Sequence, residues 1–408
     1  MKKGGRTMVK PNVCPPEMDR SASGADLELA DVVRRFGSKY TSQYAMMPSQ
    51  KRALSDIAAC CTSELGGRLY RCDDCHDSFW AYHCCRNRAC PKCHGKQTQQ
   101  WLEKREAELL PCGYFHASAT VPPELHGMFR RHQKYMYGLL MKVSAEALKE
   151  LCAEKRHLGA LPGILAVLHT WNSQLGYHPH VHMLVTGGGI TADGDHWEPA
   201  RGDYLVPVSV LSRKIAAKFH DALQREKPDL LASIPARVWQ REWVSFCKHY
   251  GHGNDAVLNY LARYVFRTAI SNARILGMDA THVTFRWKDR HADTWRTLRL
   301  PGIEFLRRFL QHVLPRGFHK VRYYGIWHHS KRALSNRAWF LLTLEDPGNV
   351  VSPPKLADAL EAVGQLAEIE DRPVTEDLGG DCAESPCCPH CGSHRTRLLA
   401  KWPSPRVP

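Results

Sequence analysis

Eight cysteines fall between residues 60 and 93: Cys60, Cys61, Cys72, Cys75, Cys84, Cys85, Cys90 and Cys93. No other feature limits the fold as much, because thiols at this density are normally joined in disulfides or shared by metal. Within the stretch, Cys72-x-x-Cys75 and Cys90-x-x-Cys93 are separated by fourteen residues. Each pair can form a knuckle that presents two thiolates, and two knuckles complete a Zn²⁺ tetrahedron. Cys72, Cys75, Cys90 and Cys93 are therefore expected to hold one structural zinc. Cys60, Cys85, His76 and His83 are left over as candidates for a second site. A further group, Cys382, Cys387, Cys388 and Cys391, lies near the end of the chain. There Cys388-Pro389-His390-Cys391 is a single knuckle that Cys382 or Cys387 could help to complete. Cys14, Cys112, Cys152 and Cys247 are scattered and read as ordinary thiols.

The rest of the sequence argues for metal rather than disulfides. The chain has 408 residues, 16 cysteines and no apolar run long enough to serve as a membrane span. Met1-Lys2-Lys3-Gly4-Gly5 leads into polar sequence without the pattern of a secretory signal, so a cytoplasmic protein is expected. A hydrophobic share of 43% suits a globular protein of two or three domains. Net charge is +15, with a pI near 9.2, which favours a polyanionic partner, nucleic acid before membrane. Arg71, Arg86, Arg88 and Lys92 make the cysteine module basic, and Arg86 and Arg88 are candidate phosphate contacts.

Periodicity gives a coarse order of elements. Residues 26–36 and 50–60 have apolar positions at helical spacing, and 97–109 read as a helix leaving the cysteine module. Phe115 to Val121 is a strand stopped by Pro122-Pro123. A long amphipathic helix is expected from Met128 to Lys155. An apolar strand over 163–171, a polar turn at Asn172 to Gly176 and a returning strand through 186 form a hairpin ended by Gly187-Gly188-Gly189. Ser212 to Gln224 and Asn254 to Ala273 read as helices. From about Asp346 the composition becomes acidic and Pro-rich, as in a linker or tail. The expected fold is α+β. Its expected units are a helical lead-in (1–46), a zinc module (47–108), a sheet-based core (109–275), a C-terminal DNA-binding extension (276–345) and an acidic linker with a Cys-containing tail (346–408).

The returning strand carries His178-Pro179-His180-Val181-His182. Side chains alternate along a strand, so His180 and His182 leave the same face and offer two imidazole nitrogens at a fixed spacing. Two histidine ligands leave positions open for a third protein group and a substrate phosphate, which is a catalytic layout rather than a closed structural one. Chance also supplies His-x-His in a chain with 23 histidines. The third ligand is open at this point: His178, His169 on the preceding strand and Gln174 in the turn are the alternatives. Downstream, Tyr260-Leu261-Ala262-Arg263-Tyr264 places two phenols four residues apart on one helix face, beside a stripe of Arg263 and Arg267. Tyrosine attack on a phosphodiester gives a covalent phosphotyrosine that conserves the bond energy for rejoining. A phenol of pKa near 10 is a weak nucleophile at neutral pH, and a metal that polarises the phosphate makes the attack feasible.

These segments, together with Cys85-Arg86-Asn87-Arg88-x-Cys90-Pro91-Lys92-Cys93, Ala269-Ile270-Ser271-Asn272 and Val283-Thr284-Phe285-Arg286-Trp287-Lys288-Asp289, resemble a known family. The chain is similar to the two-tyrosine HUH transposases of rolling-circle insertion sequences, the group named after insertion sequence ninety-one. The resemblance runs in order from about residue 28 to 328. It implies an HUH endonuclease core, a central antiparallel sheet with flanking helices, preceded by the zinc-binding module. It implies His180 and His182 as ligands of a catalytic Mg²⁺ or Mn²⁺ and Tyr260 and Tyr264 as nucleophiles. It also implies nicking and joining of single-stranded DNA through a 5′-phosphotyrosine, with a free 3′-hydroxyl. The partners it implies are single-stranded DNA at element ends and target, with host replication machinery, in a nucleoid-associated bacterial protein. No Gly-x-x-x-x-Gly-Lys-Ser/Thr loop occurs, so strand separation is expected to rest with a host helicase. Ala89 stands where the family pattern usually has His, and Cys61 and Cys84 also depart from it. Two other functions fit the same residues: a plasmid replication initiator or relaxase, and a non-enzymatic zinc-finger regulator.

Overall fold

The computed structural model describes residues 27–93, 110–252, 260, 264–265, 267–289, 292–345 and 386–403. Two helices open the described chain, α1 (Leu29–Gln43) and α2 (Pro48–Ala59), followed by the hairpin β1 (Gly67–Cys72) and β2 (Ser78–Tyr82). Next come β3 (Gly113–Thr120), α3 (His126–Arg131), α4 (Gln133–Ala153), β4 (Gly163–Trp171), β5 (Tyr177–Thr186), β6 (Gly188–Ile190) and β7 (Trp197–Pro199). Helices α5 (Val208–Glu226), α6 (Pro228–Ala232) and α7 (Arg237–Gln240) lead to β8 (Val244–His252). The remainder comprises β9 (Ile275–Met278), β10 (His282–Asp289), β11 (Thr294–Pro301), α8 (Gly302–Leu310), β12 (Val321–Gly325), α9 (Arg332–Glu345) and β13 (Thr396–Trp402). This is a mixed α/β fold with antiparallel sheets, as the sequence predicts.

The central sheet has five strands in the order β12-β4-β5-β3-β8, every neighbouring pair antiparallel. Alternation gives it two different faces. On one, Phe115, Ala117 and Ala119 of β3, Val181, Met183 and Val185 of β5, and Ile164, Ala166 and Leu168 of β4 are buried under α4 and α5. Each of the Phe, Val, Met, Ile and Leu side chains contributes about 1.5–3 kcal/mol on burial and each alanine about a third of that, so this face anchors the sheet. The opposite face presents His116, His169, His180 and His182, because Thr120 pairs with His180, Ser118 with His182, and His169 with His180 across the strands.

Three differences from expectation have physical causes. The long helix is broken at His132, whose backbone (φ −122°, ψ 44°) leaves the helical region. The break lets Phe129 stack on Phe219 of α5 while α4 covers the sheet. The expected helix over Asn254 to Ala273 is described only in part. Tyr260 is α-helical, Tyr264 and Val265 form a π-helical turn, and Asn272–Arg274 is already a 3₁₀ turn. Strand β12, from the expected C-terminal extension, returns to pair with β4 and forms an edge of the central sheet. The predicted helix at 97–109 lies outside the described residues.

A second core joins α1 and α2 to the β9–β10–β11 sheet and α8. Helix α8 buries Gly302, Phe305, Leu306, Phe309 and Leu310, the spacing of a helix with one apolar stripe. Arg274 ties this core to the hairpin turn. Its guanidinium donates to the carbonyls of Arg286, Ala269 and Ser173. No helix among the described residues is long and apolar enough to cross a membrane.

Candidate metal centre and tyrosine site

The cysteines assemble into two tetrads, and neither is the set expected from the sequence. Cys60, Cys85, Cys90 and Cys93 form one, and Cys72, Cys75, Cys388 and Cys391 the other; within each, the sulfurs lie within 4.8 Å of one another. The expected site of Cys72, Cys75, Cys90 and Cys93 is thus divided. Its two knuckles sit in different layers, Cys90 and Cys93 in the core with α1 and α2, Cys72 and Cys75 at the end of the β1–β2 hairpin. Cys90-x-x-Cys93 is completed by Cys60 at the end of α2 and by Cys85, with Sγ distances of 3.6 Å from Cys60 to Cys93 and 3.5 Å from Cys85 to Cys93. Cys72-x-x-Cys75 is completed from the far end of the chain: Cys72 lies 3.6 Å from Cys391, and Cys75 3.6 Å from Cys388. His76 and His83 belong to neither tetrad, and Cys387 bonds instead to the carbonyl of Gly392. Cys382 lies outside the described residues.

Four-thiolate sets of this kind suit structural Zn²⁺. Hydrogen bonds from the thiols of Cys84 and Cys85 bring Cys60 down to about 4, and the backbone N–H of Cys75 brings Cys72 down to about 7. Their tetrad partners Cys85, Cys93, Cys75 and Cys391 are pushed up in turn, so the thiols of each set share protons among themselves, and four thiolates together need a cation. Burial pushes Cys112 and Cys247, partly buried and outside both tetrads, up to about 12.

The tail reaches its tetrad as a third strand. Strand β13 pairs with β1 from Gly67–Trp402 to Cys72–Thr396. Asp73 N–H donates to the carbonyl of Arg395, and Arg395 meets Asp74 at 3.1 Å. Gly66 permits this approach. Its φ is +72°, and a Cβ there would lie 2.5 Å from the carbonyl oxygen of Trp402.

On the open face of the central sheet, His169, His180 and His182 bring one ring nitrogen each within 4.8 Å of the others. His169, one of the alternatives for a third ligand, is directly opposite His180, whereas His178 does not join the group. Gln174 lies in the hairpin turn, its backbone N–H donating to Asn172 Oδ1. Hydrogen bonds fix the rings. His180 Nδ1 lies 2.6 Å from the carbonyl of His178, so the tautomer that donates there carries its lone pair on Nε2. His169 Nε2 lies 2.6 Å from the carbonyl of Tyr264, which likewise places the lone pair on Nδ1. His116 Nε2 sits 3.0 Å from His182 Nδ1. Such outer bonds set the orientation and basicity of metal-binding imidazoles. Burial, followed by the repulsion that a second proton on His180 would add, drives the pKa of His169 well down, and Lys320 and Arg267 contribute in the same direction. The ring is therefore held neutral, the form that ligates. The donor set and its protonation fit a divalent cation.

The two tyrosines occupy different positions. The ring of Tyr264 lies 4.2 Å from that of His182 and 5.0 Å from His116. Tyr260 lies behind it, 4.7 Å from Tyr264, fully buried against Tyr114, Leu165 and Val167. Its hydroxyl has no hydrogen-bond partner among the described residues, and burial carries its pKa well above 10. Of the candidate DNA contacts, Arg86 is exposed. Arg267 is exposed too, and lies close enough to the histidines to influence them. Arg88 is a correction. Its guanidinium donates to the carbonyls of Phe318, Leu314 and Pro315, so it fastens the cysteine module to the loop before β12 instead of facing DNA. Arg263 lies outside the described residues. Sequence reasoning missed His116 and Lys320, whose signals, single residues on a strand and in a loop, have no motif around them.

Known proteins resemble this chain in sequence. Residues 32–121 match the family described as "Transposase zinc-binding domain", of the IS91 type, and residues 163–334 match "Putative transposase". The chain is 40% identical over 316 residues to the protein named "Putative transposase y4qJ" of Sinorhizobium fredii, covering 73% of this chain and 79% of the relative. This chain belongs to the IS91-type transposases. A transposase for insertion sequence element IS801, from Pseudomonas savastanoi pv. phaseolicola, is 29% identical over 290 residues, covering 67% of this chain and 68% of the relative. No solved structure matches. The substrate of this transposase is DNA. The matched zinc-binding domain stops short of Cys388 and Cys391, so the transposase draws half of its second cysteine tetrad from outside that domain.

Proposed function

We propose that this transposase nicks and rejoins single-stranded DNA at the ends of its element, through a 5′-phosphotyrosine formed first on Tyr264, in rolling-circle transposition. The observation that carries this reading is the packing of Tyr264 on the histidine cluster, 4.2 Å from His182, with its carbonyl accepting from His169. His169, His180 and His182 would hold a divalent cation that polarises the scissile phosphate and steadies charge on the leaving oxygen. Three imidazoles, with no carboxylate in the group among the described residues, favour Mn²⁺ over Mg²⁺. Arg267 and Lys320 supply positive potential for the phosphate.

The chain's own part in the reaction follows from this placement. The Tyr264 oxygen bonds to phosphorus as the P–O3′ bond breaks. The phenol gives up its proton, and the departing 3′ oxygen takes one up to become the hydroxyl. Rejoining reverses these steps with another 3′-hydroxyl. Tyr260, one turn away, would take the second transfer after moving out of its buried position. Duplex opening would fall to a host helicase, which places the protein at the nucleoid. The test is incubation of labelled single-stranded DNA from the element's ends with Mn²⁺, followed by peptide mapping of the covalent adduct. An adduct on Tyr264 is expected; none, or one on Tyr114 or Tyr177, overturns the reading.

A further inference from the structure

We propose that the outer face of the β1–β2–β13 sheet is a stacking platform for an unpaired DNA strand, assembled from both ends of the chain and locked by the second zinc. The proposal rests on the single-strand reading above. The inner face of this sheet already has its core, Tyr70, Cys72, Phe79 and Cys388. Cross-strand pairing puts a different set on the outer face. Tyr82 and Trp402 flank Gly67, Trp80 and Ala400 flank Leu69, and Ser78 and Arg397 flank Arg71.

The rings of Trp80 and Tyr82 are parallel, 3° between planes, with centroids 6.2 Å apart. Trp402 is 61% exposed, and Arg71 and Arg397 are exposed at the far end of the same face. None of the three aromatics belongs to a buried cluster among the described residues. Large aromatics left outside every core, beside paired arginines, match what a single strand needs: flat faces for bases and cations for the backbone. In a DNA-binding chain of charge +15, nucleic acid is the complementary occupant. Trp402 and Arg397 reach this face on β13, the strand that also brings Cys388 and Cys391 to Cys72 and Cys75, so zinc in that tetrad would hold the platform together.

The test uses the full-length, zinc-loaded chain, with a labelled oligo-dT as probe in fluorescence anisotropy. Trp402→Ala and Trp80→Ala should each weaken binding about 5- to 150-fold, the range for loss of one stacked base. Trp402→Phe should restore most of it, and zinc content should stay at that of the wild type. Cys391→Ser should lose one zinc per chain and weaken oligo-dT binding at least as much as Trp402→Ala. Arg71→Ala should lower the slope of log affinity against log salt by about 0.7. Unchanged oligo-dT affinity in both tryptophan variants, with zinc retained, overturns the platform. If those variants bind normally while the wild type still forms its tyrosine adduct, only the platform falls. A wild type that binds duplex, ignores oligo-dT and forms no adduct overturns both readings.

Discussion

Replacing Tyr260 by phenylalanine should stabilise the protein while impairing its function. The Tyr260 side chain is fully buried, and its hydroxyl has no hydrogen-bond partner among the described residues. A buried, unpaired hydroxyl costs about 1–3 kcal/mol in lost hydration, and phenylalanine removes that cost with almost no change of shape. Each kcal/mol moves the melting temperature of a unit of 150–250 residues by about 2–4 °C, so Tyr260→Phe should melt at least about 2 °C higher. Tyr264→Phe, at a half-buried position, should stay within about 0.5 kcal/mol of the wild type. The functional assays should rank the two in the opposite order. Tyr264→Phe should abolish first-strand cleavage, whereas Tyr260→Phe should still cut and fail in the second transfer. Scanning fluorimetry beside adduct formation on single-stranded DNA reads both. A Tyr260→Phe protein that melts lower than the wild type would refute the reasoning, because the hydroxyl would then be bonded in solution.

The other predictions concern metal and pH. Purified protein should contain two zinc ions per chain, and Cys90→Ser should remove one, measured by elemental analysis; a single zinc in the well-folded wild type would refute the two tetrads. His180→Ala and His182→Ala should lose adduct formation with little change in melting temperature, and wild-type rates at limiting Mn²⁺ would dismiss the cluster. Cleavage should be faster with Mn²⁺ than with Mg²⁺ at equal concentration. His312, buried, donates from Nε2 to the carbonyl of Leu175 and accepts at Nδ1 from the Thr170 hydroxyl, and burial depresses it to about 4 in the folded state. Because the unfolded chain takes up that proton near pH 6.5, its contribution is fully present above pH 6.5 and is lost as pH falls toward 4, by at most about 1.4 kcal/mol per pH unit. Urea titrations of the wild type and His312→Gln across this window should differ in slope by about one proton.

The central sheet was legible because its signals are local. An alternating strand, a polar turn and a second apolar strand specify the β4–β5 hairpin, and the period of two puts His180 and His182 on one face. His169 was visible as an alternative, but choosing it over His178 needed the register that sets it opposite His180. The zinc pairing was not legible from nearest neighbours. Two adjacent Cys-x-x-Cys knuckles suggest one site, yet the chain contains a third at Cys388 and Cys391 and two further cysteines at Cys60 and Cys85. The two clusters hold twelve thiols, Cys61, Cys84, Cys382 and Cys387 among them, so the count allowed more than one tetrahedron without saying which eight thiols would form them. Which knuckle joins which depends on β13 returning across some 300 residues, a long-range pairing that no local pattern encodes. Arg88 misled for a related reason: an arginine in a basic module looks solvated until three carbonyls converge on it.

The hydrogen bond between His169 and Tyr264 joins the two halves of the proposed chemistry. In a regular α-helix the carbonyl of Tyr264 would be directed along the helix axis to an N–H four residues on. A π-helical turn at Tyr264 and Val265 loosens that pattern, and turns of this kind concentrate at functional sites. Here the carbonyl accepts from His169 Nε2, so the backbone of the proposed nucleophile also selects the histidine's tautomer. In that proposal the sheet would supply the ligands and the segment after it the tyrosine, and this hydrogen bond, together with the ring contact of Tyr264 on His182, holds them side by side. His169→Ala should therefore cost more than a ligand, because it also frees the segment that aims Tyr264. His169→Asn keeps a side-chain donor while removing the imidazole nitrogen. If the bond to Tyr264 matters, excess Mn²⁺ should restore more cleavage to His169→Asn than to His169→Ala, and equal rescue would reduce His169 to a ligand alone.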